Sequence, residues 1–370
     1  MAASGGRVLL LGPGADLEHL TGHHALPLER LTMLVLPVAG AATLVVPRLE
    51  QPLAQDGLAR AGLDEPEVAI RAWDEHEDPL DLVVAALDAV TVPGAGVIVG
   101  RQVWSAFALG IAGRRPGLTL MPAEGEVLEL RTVKDAAGIA GLRAAASAID
   151  AVHLEVPALL RVGRSEREVA RDLATLILRD HDVVNFVIVA SGANGASPHH
   201  EPGERRLEEG DAVVVDIGGT LDGHCSDMTR DYVLGDGPEG YAEDHALLEA
   251  AQRAGIAAVV PGARAEDVDR ATRAVLEDAG RARWFVHRTG HGIGREAHEP
   301  PWIVAGDRTV LAPGMTFSVE PGIYRPGRYG MRIEDIVAVT DDGVEVLNRL
   351  PIVATRVPVL REAPAERTAP

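Results

Sequence analysis

Cysteine is almost absent from this sequence: Cys225 stands alone, so no internal disulfide can form and nothing calls for an oxidising compartment. Aromatic residues are scarce too, at 3%, although hydrophobic residues as a whole reach 46%; the core must be built mainly from aliphatic side chains. No apolar run approaches the roughly 18 residues that span a bilayer. The first residues show no basic stretch followed by a long apolar one, since Val8-Leu9-Leu10-Leu11 is too short. The cytoplasm is therefore the expected location, with no membrane partner. Positive charge is the other shortage: 35 Lys and Arg against 55 Asp and Glu leave a formal charge of −20. That balance suits a soluble acidic surface and is a poor match to a phosphate backbone, so nucleic acid is excluded as an expected partner.

The 370 residues exceed what one hydrophobic core organises, which predicts two domains. Residues 1–129 alternate short β-rich runs with helical patterns, giving expected strands at 7–11, 32–36, 43–46, 68–73 and 97–99 and a helix at 81–89. Residues 31–47 read as a hairpin turning through Ala39-Gly40, and the whole as a small α/β layer. His23 and His24 are adjacent and point different ways on regular structure, so they are read as loop surface rather than ligands. From residue 130 the character changes. An Ala-rich helix is expected from 134 to about 160, and Ser165 and Glu168 stand at capping-box spacing to open a second helix ending near 179. Gly262 followed by Asp267-Val268-Asp269-Arg270 echoes Gly163 followed by Glu168-Val169-Ala170-Arg171, which suggests an internal duplication with a site at its join.

The acids that carry chemistry lie on two predicted hairpins. Val213-Val214-Val215-Asp216-Ile217-Gly218 runs through an Asp222-Gly223 turn into Asp227-Met228-Thr229-Arg230. Centring the turn there pairs Asp216 with Thr229 and leaves Asp227 diagonal to Asp216 on the same face. The second hairpin turns at Pro326-Gly327; reflection about Gly327 sets Glu320 opposite Glu334, with Arg332 on the same face. Carboxylates turned into a sheet interior cost several kcal/mol per ion, of order 3 or more, unless a cation compensates. Asp216, Asp227, Glu320 and Glu334 together call for two divalent ions. One imidazole should join them from His287-Arg288-Thr289-Gly290-His291-Gly292-Ile293-Gly294, whose glycines let the backbone pass close to a site, and His291 is the expected ligand. An oxygen-rich set with one imidazole favours Mn²⁺, with Co²⁺ or Zn²⁺ as alternatives.

These blocks resemble, in order, the motifs of the pita-bread metallopeptidases, the superfamily of methionine aminopeptidase, aminopeptidase P and prolidase, and within it the Xaa-Pro aminopeptidase and prolidase branch. The likeness rests on Asp216-Ile217-Gly218, Cys225-Ser226-Asp227-Met228-Thr229-Arg230, the glycine-rich run through His298-Glu299-Pro300, Glu320-Pro321-Gly322-Ile323-Tyr324 and Arg332-Ile333-Glu334-Asp335. It implies an α/β N-terminal domain over 1–129, like that of creatinase, and an α+β pita-bread catalytic domain with pseudo-twofold symmetry over 130–370. It also implies that Asp216, Asp227, His291, Glu320 and Glu334 bind two metal ions, with Asp227 and Glu334 bridging, and that the ions activate the water that attacks the scissile carbonyl. Glu320 would shuttle protons, while His199 and His298 match histidines that hydrogen-bond the peptide carbonyl or its oxyanion. His287 is a further substrate candidate or a packing residue, and Arg332 either a substrate contact or a structural ion pair.

The expected reaction is hydrolysis of the bond before a proline in second position, in a dipeptide or at a peptide N-terminus, by a homodimer. A dipeptidase must hold a free carboxylate, for which Arg308 is a candidate. A creatinase-like cleavage of a non-peptide C–N bond and a non-catalytic binding module are the alternatives, and the intact ligand set argues against both. Cys225 is expected to be a buried small thiol rather than a nucleophile.

Overall fold

A computed structural model describes residues 6–92 and 94–359, which divide into two compact units, Met1–Arg131 and Thr132–Pro370. In the first unit six strands form one sheet: β1 (Gly6–Leu11), β2 (Met33–Pro37), β3 (Ala42–Pro47), β4 (Val68–Trp73), β5 (Gly96–Val99) and β6 (Thr119–Pro122), in the order β4-β3-β2-β1-β5-β6. The run Val8–Leu11 is apolar throughout because both faces are covered. Leu9 and Leu11 pack with Ala54 and Leu58 of α2 (Gln51–Arg60), whereas Val8 and Leu10 pack with Val83 and Leu87 of α3 (Pro79–Val90) and Ile111 of α4 (Ser105–Arg114). The α/β expectation and the hairpin at Ala39-Gly40 hold, with β2 and β3 antiparallel. The short helix α1 (Ala15–Thr21) and strand β6 carry too few periodic residues to announce themselves. His23 corrects the surface reading: it lies in a loop yet is 2% exposed, and burial lowers its pKa, while only His24 reaches solvent and pairs with Glu18.

The short helix α5 (Leu128–Thr132) precedes the long helix α6 (Ala136–Leu159) of the second unit. Helix α7 (Glu166–Ile177) opens on the expected capping box, Ser165 accepting from Glu168 N while the Glu168 carboxylate accepts from Ser165 N. Both helices cover a sheet of β7 (Val183–Ser191), β8 (Ala212–Leu221), β10 (Met228–Leu234) and β18 (Thr355–Val357), with β9 (His224–Cys225) appended to β8. Ile149, Val156, Leu173 and Ile177 meet Val213, Val215 and Ile217 in that core. The pattern then recurs. Helices α8 (Tyr241–Ala257) and α9 (Ala265–Asp278) precede a second sheet of β11 (Gly290–Gly292), β12 (Glu299–Ile303), β13 (Thr316–Val319), β16 (Asp335–Val339) and β17 (Val344–Val346).

The duplication shows in the hydrogen bonds at the two helix entrances. In the first half Gly163 N, Glu166 N and Arg167 N donate to Leu207, Arg205 and Gly203 carbonyls; in the second, Gly262 N, Ala265 N and Glu266 N donate to Leu311, Thr309 and Asp307. No helix among the described residues is long and apolar enough to cross a membrane.

Both hairpins that carry the candidate acids have the expected register. Asp216 pairs with Thr229, and the turn at Asp222 (φ 48°) and Gly223 (φ 73°) has the two positive φ values of a type I′ turn. In the second, Val319 faces Asp335 and Gly322 faces Arg332, so one register runs through. The ladder is nevertheless interrupted, because Pro321 has no N–H to donate. Strands β14 (Gly322–Arg325) and β15 (Tyr329–Arg332) form a separate two-stranded sheet. Glu320 and Glu334 sit in the gap, and their amides cross to other segments: Glu320 N donates to Thr289 O and Glu334 N to Thr229 O.

Candidate metal centre

That gap opens on a cavity of about 480 Å³ walled by Asp216, Asp227, His291, Glu320 and Glu334, together with His199, His287, His298 and Arg332. Every site residue named from the sequence thus lines one cavity, apart from the substrate-carboxylate candidate Arg308. Arg308 lies exposed in the loop between β12 and β13, outside the cavity wall. Its place on the wall is taken by Arg288, half-buried and stacked with its guanidinium carbon 4.4 Å from the Trp302 ring centre.

The acids are crowded and dry. Asp216, Asp227 and Glu334 are 7%, 3% and 2% exposed. Burial and then the neighbouring Glu334, Asp216 and Glu320 charges push the Asp227 pKa well above the carboxylate range. Glu334 is raised in the same way, by burial and then by Glu320 and Asp216. Glu320 is pushed up to about 7, mostly by burial. Against these four acids Arg332 is the cation in direct contact: its Nη2 donates to Asp216 Oδ2 at 2.5 Å, its Nε to Thr229 Oγ1 at 3.1 Å and its Nη1 to Tyr324 OH at 2.8 Å. Thr229 Oγ1 in turn donates to Glu334 Oε2 at 2.8 Å, and Ser318 Oγ to Glu320 Oε1 at 3.1 Å. Asp216 Oδ1 and Glu334 Oε1 are buried with no hydrogen-bond partner. Buried carboxylate oxygens without donors are rare and point to a missing cation.

The histidines differ in what they can offer. His291 Nδ1 lies 3.2 Å from Gly292 O, an atom that only accepts, so Nδ1 carries the proton and Nε2 turns its lone pair toward Glu320 Oε1 (3.3 Å) and Asp227 Oδ2 (3.7 Å). Burial and then the neighbouring His298 hold its pKa down at about 3, so the ring is neutral, as a ligand must be. The donor atoms of three groups lie within 4.8 Å of one another: Asp216, Asp227 and Glu334; His291, Glu320 and Glu334; and Asp227, His291 and His298. Carboxylate-rich sets with one or two imidazoles suit divalent ions of the Mn²⁺ kind. The His298 ring is tilted 56° against that of His291 with the ring centres 4.0 Å apart, and it and His199 are exposed and line the cavity. His287 is different: Nδ1 is 2.7 Å from Arg288 O and Nε2 2.8 Å from Tyr324 OH, so both nitrogens are engaged by protein.

Sequence reasoning missed Arg288 and the apolar wall of Phe186 and Ile188. The pair stands two apart on β7, the spacing of one strand face, which was a legible signal; Arg288 sits three residues before His291 in an irregular segment where side-chain direction has no period to betray it.

The sequence pattern of Metallopeptidase family M24 matches residues 140–341. The protein named "Probable dipeptidase PepE" of Mycobacterium tuberculosis is 47% identical over 356 residues, which are 95% of this chain and 92% of that protein. Among solved structures, dipeptidase PepE from Mycobacterium ulcerans is 45% identical with a TM-score of 0.88, covering 97% of this chain and 95% of its own. A prolidase from Thermococcus sibiricus is 33% identical with a TM-score of 0.88, covering 96% and 95% respectively.

Proposed function

Because the chain belongs to metallopeptidase family M24, we propose that it is a prolidase-like dipeptidase holding two divalent ions, Mn²⁺ by preference, on Asp216, Asp227, His291, Glu320 and Glu334. The observation that carries this reading is the cluster of three buried carboxylates, Asp216, Asp227 and Glu334, with the partly buried Glu320, in which Asp216 Oδ1 and Glu334 Oε1 have no donor. Asp227, His291 and Glu334 are each common to two of the three donor groups; the two oxygens of either carboxylate can serve two ions, whereas the single Nε2 lone pair of His291 can serve only one. Asp227 is the second bridge that the sequence resemblance implies. Ions held there supply Lewis acidity and a lowered pKa for water.

The protein's own groups do the rest. Ser318 holds one Glu320 oxygen, leaving Oε2 free to take up the proton of the attacking water. His199 and His298, neither hydrogen-bonded to protein among the described residues, donate to the substrate carbonyl as charge develops on it. With both nitrogens engaged, His287 anchors Tyr324, which accepts from Arg332; Arg332 thereby holds Asp216 rather than substrate. Arg288 meets the free carboxylate of a dipeptide, in the role first sought in Arg308. Phe186 and Ile188 give an apolar surface for the ring of a second-position proline. The relatives named as dipeptidase and prolidase support the same substrate class, and the family resemblance supports a homodimer, testable by sedimentation velocity.

The decisive experiment compares a Xaa-Pro dipeptide, a Xaa-Ala dipeptide and a Xaa-Pro-Xaa tripeptide on the Mn²⁺-loaded protein. Fastest turnover of the Xaa-Pro dipeptide is expected. Preference for the tripeptide would make it an aminopeptidase instead, and equal rates on the two dipeptides would remove the proline specificity.

A further inference from the structure

Among the buried carboxylates outside the chemistry just described, Glu166 gathers the donors of a single segment that reaches the cavity. Glu166, the first residue of α7, is 0% exposed. Its Oε1 accepts from Ser191 N (2.8 Å), Ser191 Oγ (2.7 Å) and Asn194 Nδ2 (3.0 Å), and its Oε2 from His200 Nε2 (2.7 Å) and Gly203 N (3.2 Å). Burial pushes its pKa up, but the bonds from Ser191, His200 and Asn194 prevail and hold it below the usual carboxylate range. All these donors belong to residues 191–203, the segment that leaves β7 and carries Pro198 and His199 to the cavity.

The same segment is fixed on its other side. Gly195 lies against Gly330 so closely that a Cβ on Gly330 would fall 1.7 Å from Gly195 O, and Arg332 Nη1 donates to Pro198 O at 3.2 Å. His199 is thus flanked by Pro198, tied to Arg332, and His200, tied to Glu166. Its own imidazole is exposed and has no hydrogen-bond partner among the described residues, so its place depends on the main chain that carries it.

The internal repeat supplies a control. The backbone bonds at the entrance of α7 recur at the entrance of α9, and there the position equivalent to Glu166 is Ala265, also 0% exposed. The helix entrance therefore needs no carboxylate, and burying one is costly unless its donors compensate. What distinguishes the first half is the segment that Glu166 gathers.

We propose that Glu166 is a positioning residue, whose carboxylate fixes residues 191–203 so that His199 meets the substrate carbonyl; this rests on the substrate role proposed for His199. The test is a kinetic double-mutant cycle in the full-length metal-loaded protein. Glu166→Gln keeps the shape but turns one acceptor into a donor that faces other donors. It should lower kcat by roughly 10- to 100-fold, the scale of a misplaced catalytic group, with KM and bound metal little changed. In the His199→Ala background the same substitution should change kcat less than about twofold, because the group it positions is gone. Hydrogen exchange measured by mass spectrometry should quicken in 191–203 and not elsewhere.

If His199→Ala lowers kcat and Glu166→Gln multiplies that loss in full, or if Glu166→Gln leaves kcat unchanged, the positioning role is overturned. If His199→Ala itself leaves kcat unchanged, the reading of His199 fails, and the proposal with it. Should Glu166→Gln not fold, His200→Gln and Asn194→Ala each remove one donor; smaller losses that vanish in the His199→Ala background support the proposal, and losses that persist there overturn it.

Discussion

Stripping the metal should make the stability of this protein fall as pH rises, and the structure sets the size of the effect. Glu320 has an ordinary pKa of 4.5 and is pushed up to about 7 in the folded chain, with burial as the main cause. A folded-state pKa above the unfolded value means that the folded protein binds the extra proton. The associated stability is fully present below pH 4.5 and is lost as pH rises through 7. A difference of about 2.5 pH units at 1.36 kcal/mol each is about 3 kcal/mol for this one side chain. Asp227 and Glu334 are shifted in the same direction and extend the loss to higher pH. Divalent ions replace those protons, so loading with Mn²⁺ should stabilise weakly at pH 5 and strongly at pH 8. The assay is thermal unfolding of stripped and loaded protein at each pH. Their difference cancels groups remote from the site, such as His153, which burial depresses to about 3. The gap should widen by roughly 6–12 °C between pH 5 and pH 8. A gap that stays constant or narrows would refute the reasoning, because the acids would then not be sharing a dry site.

Four further outcomes are expected. Asp227→Ala should lose bound metal and activity together; turnover retained at near wild-type rate would show that this carboxylate serves neither ion. His298→Ala should lower kcat by on the order of 100-fold, the scale of losing one oxyanion donor, with metal content unchanged; metal loss would make it a ligand, as its group with Asp227 and His291 allows. Arg288→Ala should raise KM for a dipeptide about tenfold or more, as loss of a charge-assisted bond predicts, and leave a C-terminally amidated dipeptide nearly unaffected. Arg308→Ala, outside the cavity wall, should change neither; a KM effect confined to Arg308 would restore it as the carboxylate contact.

Much of the site was legible because hairpin register is arithmetic. Once Asp222-Gly223 is a turn, Asp216 must face Thr229, and once Gly327 is the centre of the second, Glu320 must lie across from Glu334. The interruption at Pro321 was legible in principle, since proline cannot donate to a ladder, but its consequence was not: the freed amides of Glu320 and Glu334 bond to Thr289 and Thr229 of other segments. Contacts between distant segments have no local signal. His287 stands in the same glycine-rich run as His291, yet only the fold shows both its nitrogens occupied. Glu166 stands unmarked between the capping-box residues Ser165 and Glu168, and its five donors come from 25 or more residues away. His23 and Arg308 failed for the same reason in opposite senses, because burial of a loop residue depends on what packs over it.

The central claim is that paired acids on two hairpins share divalent ions. Anomalous diffraction from crystals grown with Mn²⁺ tests it most directly. Two neighbouring peaks in the cavity, one beside Asp216 and Asp227 and one beside His291 and Glu320 with Glu334 between them, are predicted; a fully active crystal showing no anomalous signal within reach of these five side chains would contradict it.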